Sequence, residues 1–405
     1  VSKNTALTKL DCSYNKLTSL DLSNNTALTL LNCDGNKLTS LDLSKNTALT
    51  LLYCSWNQLT SLDVSKNTAL TLLYCSYNKL TSLDVSKNTA LIELNCYSNK
   101  LTSLDVSNNT NLTLLDCHSN KLTSLDLSKN TNLTRFDCTS NDLTSLDLSK
   151  NTNLTRLDCS WNQLTSLDVS KNTALTELNC SWNQLTSLDV SKNTALTELN
   201  CGVNLLTSLD VSQNTALKYL HCYSNRLTTL DIRGNTNVKS LACDDNPLVV
   251  LNCGNVTVSN IAASPLSMLE INDADTFDIT KYGGSAENIV SDSITGGTID
   301  KNGIITPNEN SAKVTYKYKY NDNGDTITCS IAFGIAIDKV NFPDENFRNW
   351  LLEQNYGEDG VLTAEEIPSV EKIDVSNKFI SDLTGIEYFT SLKMLYCSSN
   401  DLTSL

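Results

Sequence analysis

The chain has 405 residues, with 30 Lys and Arg against 45 Asp and Glu, so its formal net charge is −15. This acidic balance would repel the phosphates of a nucleic acid and the headgroups of an anionic membrane, so we expect neither as a partner. The sequence has no stretch of about 18 apolar residues, and we therefore predict no membrane insertion.

The first predicted element is a tandem repeat, which occupies most of the chain. Twelve cysteines recur every 21 residues from Cys12 to Cys243, and a typical unit reads LTLLYCSWNQLTSLDVSKNTA over residues 49–69. Its first half has the leucine-rich-repeat pattern L-x-x-L-x-C-x-x-N-x-L, with Cys in a Leu position. Because one turn cannot bury its own leucine face, such turns must stack into a solenoid.

The alternation around L-x-C and L-x-V predicts two short strands in each turn, one on each broad side. We therefore predict a β-rich, right-handed solenoid of about twelve turns with parallel sheets on both sides. Two columns of Asn residues, which begin at Asn15 and Asn25, are predicted to point inward. Buried amides need hydrogen-bond partners, and we expect leftover backbone groups to provide them.

The array resembles the cysteine-containing, 21-residue leucine-rich repeats of bacterial surface proteins of the internalin type. The resemblance rests on the period, the Cys column and the phrase L-T-x-L-D-V-S-x-N, and it covers residues 1–255. It implies an exported protein, either wall-associated or secreted, and many such proteins are adhesin-like. Since the chain begins and ends within a repeat, we expect any export or anchoring signal to lie outside it.

The repeat weakens near its end, and residues 1–261 are predicted to form the solenoid with its capping turn. Residues 262–337 are predicted to form a small all-β module, because AKVTYKYKY and DTITCSIAFGIAI alternate and NDNG predicts a hairpin turn. Residues 338–405 are predicted to form the N-terminal cap and first repeats of a second array. That cap would contain a helix with Asp344 as its N-cap, followed by repeats that include Cys397.

The Cys column is predicted to be structural. Neighbouring thiols would lie one turn apart and point the same way, whereas a disulfide needs Cβ atoms that converge. Each Cys lies between leucines, which does not favour a shared metal ion. We therefore predict reduced, buried thiols that act as small core side chains.

A column of Asp residues on the back face, from Asp21 to Asp231, is one candidate cation site. Like charges one turn apart should raise one another's pKa, and Ca²⁺ would relieve the repulsion. The alternative is a solvated acidic row, offset by Lys residues three positions on and by Ser and Thr hydroxyls. We favour this alternative, because a row of single carboxylates rarely supplies the oxygens that Ca²⁺ needs.

A weak metal candidate is NYGEDGVLTAEE, which partly matches a calcium-binding EF-hand loop. Asn355, Asp359, Gly360 and Glu366 take positions 1, 5, 6 and 12, but Gly357 at position 3 brings no ligand. A complete loop has Asp or Asn there. We therefore predict a degenerate loop kept for its turn, and no cofactor.

The front half of the repeat varies at its outward positions, whereas the back half repeats LTSLDVSKNTA with little change. In turns two to four the front positions are apolar and aromatic, and such exposed patches mark binding sites. The alternative is stacking between turns that only stabilises the sheet. The predicted ligand-binding residues are Leu51, Tyr53, Trp56, Leu72, Tyr74 and Tyr77, with Trp161 and Trp182 as a smaller pair.

Catalysis finds little support in the sequence. The two histidines, His118 and His221, occupy different repeat positions, and there is no G-x-S-x-G, H-E-x-x-H or glycine-rich phosphate loop. We expect an extracellular, adhesin-like module, monomeric as a fragment, whose front sheet binds a protein or a glycan. The alternative is a spacer that presents other domains at the cell surface, for which a polar, featureless front sheet would be typical.

Overall fold

The computed structural model describes residues 1, 3–254, 256, 260–262 (backbone only), 268–271, 276–308, 311–363 and 366–405. The chain divides into two compact units. Unit 1 comprises Val1–Leu206 and Asp210–His221, and unit 2 comprises Thr207–Leu209 and Cys222–Leu405. Within the described residues, no helix has both the length and the apolar character that a membrane span requires.

Unit 1 is a β-solenoid built on one parallel sheet, called here the front sheet. Each turn contributes three residues in register, so that Leu31 pairs with Leu10 on one side and with Leu52 on the other. The middle residue of a strand is buried and its neighbours face outward, as the two-residue period predicts. The strands are β1 (Lys9–Asp11), β2 (Leu30–Asn32), β3 (Leu51–Tyr53), β4 (Leu72–Tyr74), β5 (Glu93–Asn95), β6 (Leu114–Asp116), β7 (Arg135–Asp137), β8 (Arg156–Asp158), β9 (Glu177–Asn179), β10 (Glu198–Asn200) and β11 (Tyr219–His221).

The Cys column of unit 1 lies in the core. The thiols from Cys33 to Cys180 are fully buried and form no disulfide, which confirms the prediction for these turns. Burial raises the pKa of Cys75 to about 12, so its thiol is neutral at physiological pH. Cys12, in the first turn, is only partly buried, and for that residue the prediction of full burial is wrong.

The two inward Asn columns tie the turns of unit 1 together. Asn57 Nδ2 donates to the Cys33 carbonyl at 2.9 Å, and its Oδ1 accepts from the Leu38 N–H at 3.0 Å. In the second column, Asn67 Nδ2 donates to the Leu43 carbonyl at 3.1 Å. The predicted role of these residues, which is to serve leftover backbone groups, is therefore confirmed, whereas Asn15, in the first turn, is exposed and not buried as predicted.

The back half of each turn is not part of a sheet in the described residues of unit 1, so the prediction of parallel sheets on both sides is wrong there. The carbonyl of Val64 accepts from the Asn67 N–H of its own turn at 2.9 Å and from Asn88 Nδ2 of the next turn at 3.0 Å. Because the Asn column occupies these carbonyls, they do not accept from a neighbouring strand. The backbone instead curls into a turn.

Unit 2 begins with four short strands, β12 (Thr229–Asp231), β13 (Ser240–Ala242), β14 (Val250–Asn252) and β15 (Asn260–Ala262). β13 pairs with β15 in parallel, and β12 pairs with β14 in parallel. The second pair uses back-half residues, so a sheet on the back side exists only in these turns of the described chain.

A β-rich segment with small sheets follows. Its strands are β16 (Leu269–Glu270), β17 (Phe277–Asp278), β18 (Gly297–Ile299), β19 (Ile304–Pro307), β20 (Lys313–Lys319), β21 (Thr326–Ala332) and β22 (Ile335–Ala336), with 3-10 helices at Ile279–Tyr282, Ala286–Asn288 and Ser291–Ser293. β20 and β21 form the predicted antiparallel hairpin around NDNG, and Gly324 takes a positive φ of 84° in its turn. The Tyr316 hydroxyl donates to the Val249 carbonyl at 3.1 Å, which ties this hairpin to the last solenoid turns.

The end of unit 2 contains α1 (Glu345–Leu352), β23 (Val361–Leu362), β24 (Lys372–Asp374) and β25 (Met394–Tyr396), with 3-10 helices at Ile367–Ser369 and Ile386–Tyr388. Asp344 is the N-cap of α1, as predicted, and its Oδ1 accepts from the Phe347 N–H at 2.9 Å. β24 and β25 pair in parallel, and Asn400 Nδ2 donates to the Val375 carbonyl at 2.8 Å. The repeat geometry is therefore present again in this segment.

Candidate functional site

A row of ring side chains follows the strand ends of unit 1 across four consecutive turns. It consists of Trp56, Tyr77, Tyr97 and His118 and is called here the front ladder. Trp56 and Tyr77 stack with ring centroids 3.6 Å apart, and Tyr97 meets Tyr77 edge-on at 5.0 Å. Tyr97 in turn stacks on His118 at 4.1 Å, with 13° between the ring planes. The rings thus form one continuous surface feature.

Trp56 and Tyr77 lie at a position where the backbone is left-handed, with φ of 55° and 50°. This conformation costs an ordinary residue about 1–2 kcal/mol, which is why glycine and asparagine are favoured in it. In the second turn the same position is held by Gly35, with φ of 65°. The Trp56 side chain is also 53% exposed. Neither backbone preference nor core packing therefore explains an aromatic residue at this position.

Four of the predicted residues lie on strands β3 and β4 rather than on the ladder. Leu51, Tyr53, Leu72 and Tyr74 are partly buried, and the two tyrosine rings meet edge-on with centroids 5.3 Å apart. The Tyr74 hydroxyl donates to Glu93 Oε2 at 2.6 Å. Burial and this hydrogen bond raise the pKa of Tyr74. These side chains lie on the strands that directly precede Trp56 and Tyr77 in the same turns.

Trp161 and Trp182 form a separate pair, five repeats farther along unit 1. Their rings stack with centroids 4.0 Å apart and 9° between the planes, and they are 52% and 40% exposed. Both have the left-handed backbone of Trp56. The predicted residues therefore share one face of unit 1 but form two clusters.

The sequence prediction did not include Tyr97 and His118. They lie directly after the column cysteines, two places before the Asn column, whereas Trp56 and Tyr77 lie immediately before that column. A comparison of one repeat position at a time therefore assigns these touching rings to different columns. Considering both positions together, turn by turn, would have shown an unbroken run of rings.

A charged cluster lies at the end of the front ladder. His118 Nδ1 is 2.6 Å from Asp116 Oδ1 and 3.9 Å from Asp137 Oδ2. Burial raises the pKa of Asp137, and hydrogen bonds from Thr139 oppose that effect. Burial lowers the pKa of His118, but the hydrogen bond and charge of Asp116 outweigh it, so the pKa lies above its ordinary value.

Two grooves lie over the front sheet. One, with a volume of about 230 Å³, extends from β4 to β8, and its lining residues include Tyr74, Asp116, Asp137, Arg135 and Arg156. The other has a volume of about 320 Å³ and lies over β8 to β11. There Arg156 Nη1 forms an ion pair with Glu177 Oε2 at 2.8 Å. The front sheet thus changes from aromatic to charged along its length.

The back-face Asp column differs from its prediction in one respect. Asp63 Oδ1 accepts from the Ser65 N–H at 2.9 Å. Hydrogen bonds from the backbone and hydroxyl of Ser65 lower the pKa of Asp63, and they outweigh the opposing charge of Asp84. The neighbouring carboxylate does raise the pKa, as expected, but the net pKa of Asp63 lies below its ordinary value. The pKa is lowered in the same way at Asp21, Asp42, Asp84, Asp105, Asp126, Asp147, Asp168 and Asp189.

The EF-hand-like segment of unit 2 uses its carboxylates within its own turn. Glu366 Oε2 accepts from the Thr363 N–H at 3.0 Å and from its hydroxyl at 2.9 Å. Asp359 Oδ1 accepts from the Val361 N–H at 3.0 Å. These bonds hold the two carboxylates within the loop. Asn355 is the third residue of that weak metal candidate.

The architecture of this chain is similar to that of known bacterial leucine-rich-repeat proteins. No protein-family model matches the chain, and neither does any curated protein. Among solved structures, the functional domain of InlJ from Listeria monocytogenes, which includes a cysteine ladder, is 36% identical. The match covers 82% of this chain and 87% of that one, with a TM-score of 0.53.

Two further structures are similar at 25% identity. An internalin of Listeria monocytogenes, InlF, matches 65% of this chain and 83% of its own, with a TM-score of 0.61. A leucine-rich-repeat protein of Leptospira interrogans matches 67% of this chain and 79% of its own, with a TM-score of 0.60. The chain therefore belongs to the bacterial leucine-rich-repeat proteins with a cysteine ladder, the family that includes InlJ.

Proposed function

We propose that this chain is an extracellular bacterial binding module that recognises a protein or glycan ligand through the front sheet of unit 1. The observation that carries the proposal is the exposure of Trp56 and Tyr77 at a left-handed backbone position, 53% and 37% exposed. Binding is favoured when a ligand covers large rings that face solvent, because apolar surface is removed from water, and tyrosine and tryptophan are the usual anchors of interfaces.

The strand residues beside these rings complete the proposed site. Leu51, Tyr53, Leu72 and Tyr74 are partly buried and lie in the same turns as the two rings, so we expect a ligand that covers the rings to contact their exposed edges as well. Trp161 and Trp182 are proposed as a secondary contact for a ligand long enough to reach them.

The similarity to InlJ and InlF supports a leucine-rich-repeat interaction module and a surface or secreted location. We further propose that the module is monomeric and not catalytic, without a nucleic-acid partner. For its organisation we propose a solenoid over 1–261, a small β module over 262–337 and a second array that begins with a cap over 338–405.

The test screens the full chain on a glycan array and against a random-peptide phage library, and then measures the affinity of every hit. Replacing Trp56 and Tyr77 together by Ala should weaken binding by at least about tenfold if they are anchors. The matched control replaces Ser65 and Lys66 of the back face by Ala and should leave affinity unchanged. Hits that survive the first double variant and are lost by the second would contradict the proposed face.

The second candidate function is a spacer, and the ring stacking favours it. Stacked pairs such as Trp161 and Trp182 stabilise a protein by about 0.5–1.5 kcal/mol beyond their burial, so they serve the array even without a ligand. A spacer gives no specific hit with either probe, and its Trp→Ala variants lower the melting temperature alone. A hit with ladder-dependent affinity excludes this candidate.

A further inference from the structure

We propose that Asp116, His118 and Asp137 form a binding site for a divalent transition-metal ion of the zinc class on the front sheet. Within the described part of the chain, these residues are the one group of three or more His, Cys, Asp or Glu whose ligand atoms lie within 4.8 Å of one another. One imidazole and two carboxylates are donors that suit such ions. The site does not depend on the proposed ligand-binding function.

The distances within the group suit one ion. Zinc binds nitrogen and carboxylate oxygen at roughly 2.0–2.2 Å, so two of its donor atoms lie roughly 3–4 Å apart. His118 Nδ1 and Asp137 Oδ2 are 3.9 Å apart, which is too long for a hydrogen bond and a few tenths of an ångström wider than two ligands of one tetrahedral ion, so a small side-chain rotation would bring both to the metal. Asp116 Oδ1, now hydrogen-bonded to Nδ1 at 2.6 Å, would exchange that bond for the metal.

The neighbouring side chains already orient these donors. The imidazole lies flat on Tyr97, with centroids 4.1 Å apart, which fixes its ring plane. The Thr139 N–H donates to Asp137 Oδ1 at 3.0 Å and leaves Oδ2 toward the ring. Such outer contacts orient ligands in metal sites. The chain thus provides the three donors and their supports from two adjacent turns.

The same arrangement does not recur in the neighbouring turns. The position of His118 holds Thr139 in the next turn and Ser160 in the one after. Asp158, which follows Asp116 and Asp137 at the same position of the next front strand, accepts from Ser160 and from Asn179 Nδ2 at 2.9 Å. The imidazole is therefore what distinguishes the junction of the sixth and seventh turns.

Basic side chains are the competing explanation for the carboxylates. Arg135 and Arg156 line the same 230 Å³ groove as Asp116 and Asp137, and they would neutralise these two carboxylates without a metal ion. Arg156, however, pairs with Glu177 at 2.8 Å. The chain as a whole has a net charge of −15, which attracts cations. Three protein donors also leave a coordination position open for water.

The test is a calorimetric titration of the metal-free full chain with ZnCl₂. We expect one ion per chain, and at least about a tenfold loss of affinity in both His118→Phe and Asp137→Asn. The first variant keeps a ring against Tyr97 while removing the nitrogen donor. The matched controls, His221→Phe and Asp158→Asn, remove the other histidine and the next column carboxylate and should bind zinc like the wild type.

Co²⁺ provides a second readout, its absorption spectrum, which reports the kind of ligand atom rather than the affinity. A site of one nitrogen and two oxygens gives d–d absorption without thiolate charge-transfer bands, and His118→Phe abolishes it. Three results would overturn the proposal. These are no zinc binding by the wild type, unchanged binding by the correctly folded His118→Phe and Asp137→Asn variants, and thiolate bands that assign the metal to cysteines.

Discussion

At the scale of the residue, the buried asparagines explain how a turn with so little strand structure is held in place. Asn67 Nδ2 donates to carbonyls of two other residues, Leu43 at 3.1 Å and Asn46 at 2.9 Å. Its own Oδ1 is buried without a hydrogen-bond partner. The amide nitrogen of Asn67 therefore stabilises the stacked turns, whereas burial of its unpartnered oxygen destabilises them.

Replacing Asn67 by Ala should lower the free energy of unfolding by about 1–3 kcal/mol, because it removes two buried hydrogen bonds worth about 0.5–1.5 kcal/mol each, while both carbonyls keep a backbone donor. Loss of the unpartnered Oδ1 keeps the effect below the sum of both bonds. Urea denaturation followed by circular dichroism measures the change. The control is Asn132→Ala, since Asn132 is exposed and its removal should change stability by less than about 0.5 kcal/mol. Equal effects of both variants would show that the column is not structural.

At the scale of the element, the cysteine column behaves as one apolar strip. From Cys33 to Cys180 every thiol is fully buried, and burial is the largest cause that raises the pKa of Cys54, Cys75 and Cys96. A neutral thiol packs between leucines as a small apolar group, whereas a thiolate would have no partner there. The column therefore stabilises the fold only while it is protonated.

We predict from this that unit 1 loses stability in alkali. The folded pKa of Cys75 is raised to about 12, above the unfolded value of about 8.5. Its stabilising contribution is therefore fully present below pH 8.5 or so and is lost as the pH rises toward the folded pKa. Urea midpoints measured from pH 7 to 10 should fall, and the fall should be smaller in Cys75→Ala.

Labelling with a thiol reagent is the companion measurement. Native protein at neutral pH should react slowly at the buried thiols and first at Cys12 and Cys397, which are partly buried, whereas denatured protein should react completely. Rapid native labelling from Cys33 to Cys180, or disulfides found there by mass spectrometry, would contradict the assignment of the column to the core.

At the scale of the whole molecule, the two halves of the repeat differ in how much their sequences vary. The back half is nearly constant in sequence, and its Asp and Ser residues form the same local hydrogen bond in turn after turn. The front half varies and carries the front ladder and the charged cluster. A constant half that sets the turn and a variable half that faces outward are what a repeat scaffold needs in order to vary a surface without changing its fold.

We predict that metal chelation leaves the solenoid folded. Its core consists of Leu, Val and Cys side chains with the Asn columns, and the three proposed metal ligands lie partly exposed on its surface. The melting temperature of the full chain should therefore be the same with and without EDTA when no zinc is added. A large drop in EDTA would show that a cation, on the Asp column or elsewhere, is part of the fold.

The sequence by itself determined the features that depend on period and local chemistry. Stacking of 21-residue turns, the inward Leu, Cys and Asn columns, the hairpin around NDNG and the Asp344 cap all follow from spacing or from one residue's own hydrogen bonds. The columns were predictable because a repeated position has the same environment in every inner turn, and the hairpin and the cap because they depend on local sequence. Cys12 departs from the prediction because the first turn is less covered than those that follow.

Only the tertiary structure decided where groups of different turns meet. The back carbonyls accept from Asn side chains, and for this reason the described residues of unit 1 form no second sheet, although the apolar alternation of the back half resembles that of the front strands. The meeting of Tyr97, His118 and Asp137 depends on ring rotamers and on register between turns, which no single repeat encodes. The pKa of Asp63 likewise depends on whether Ser65 or the next carboxylate is closer, and the folded backbone brings Ser65 into hydrogen-bonding contact.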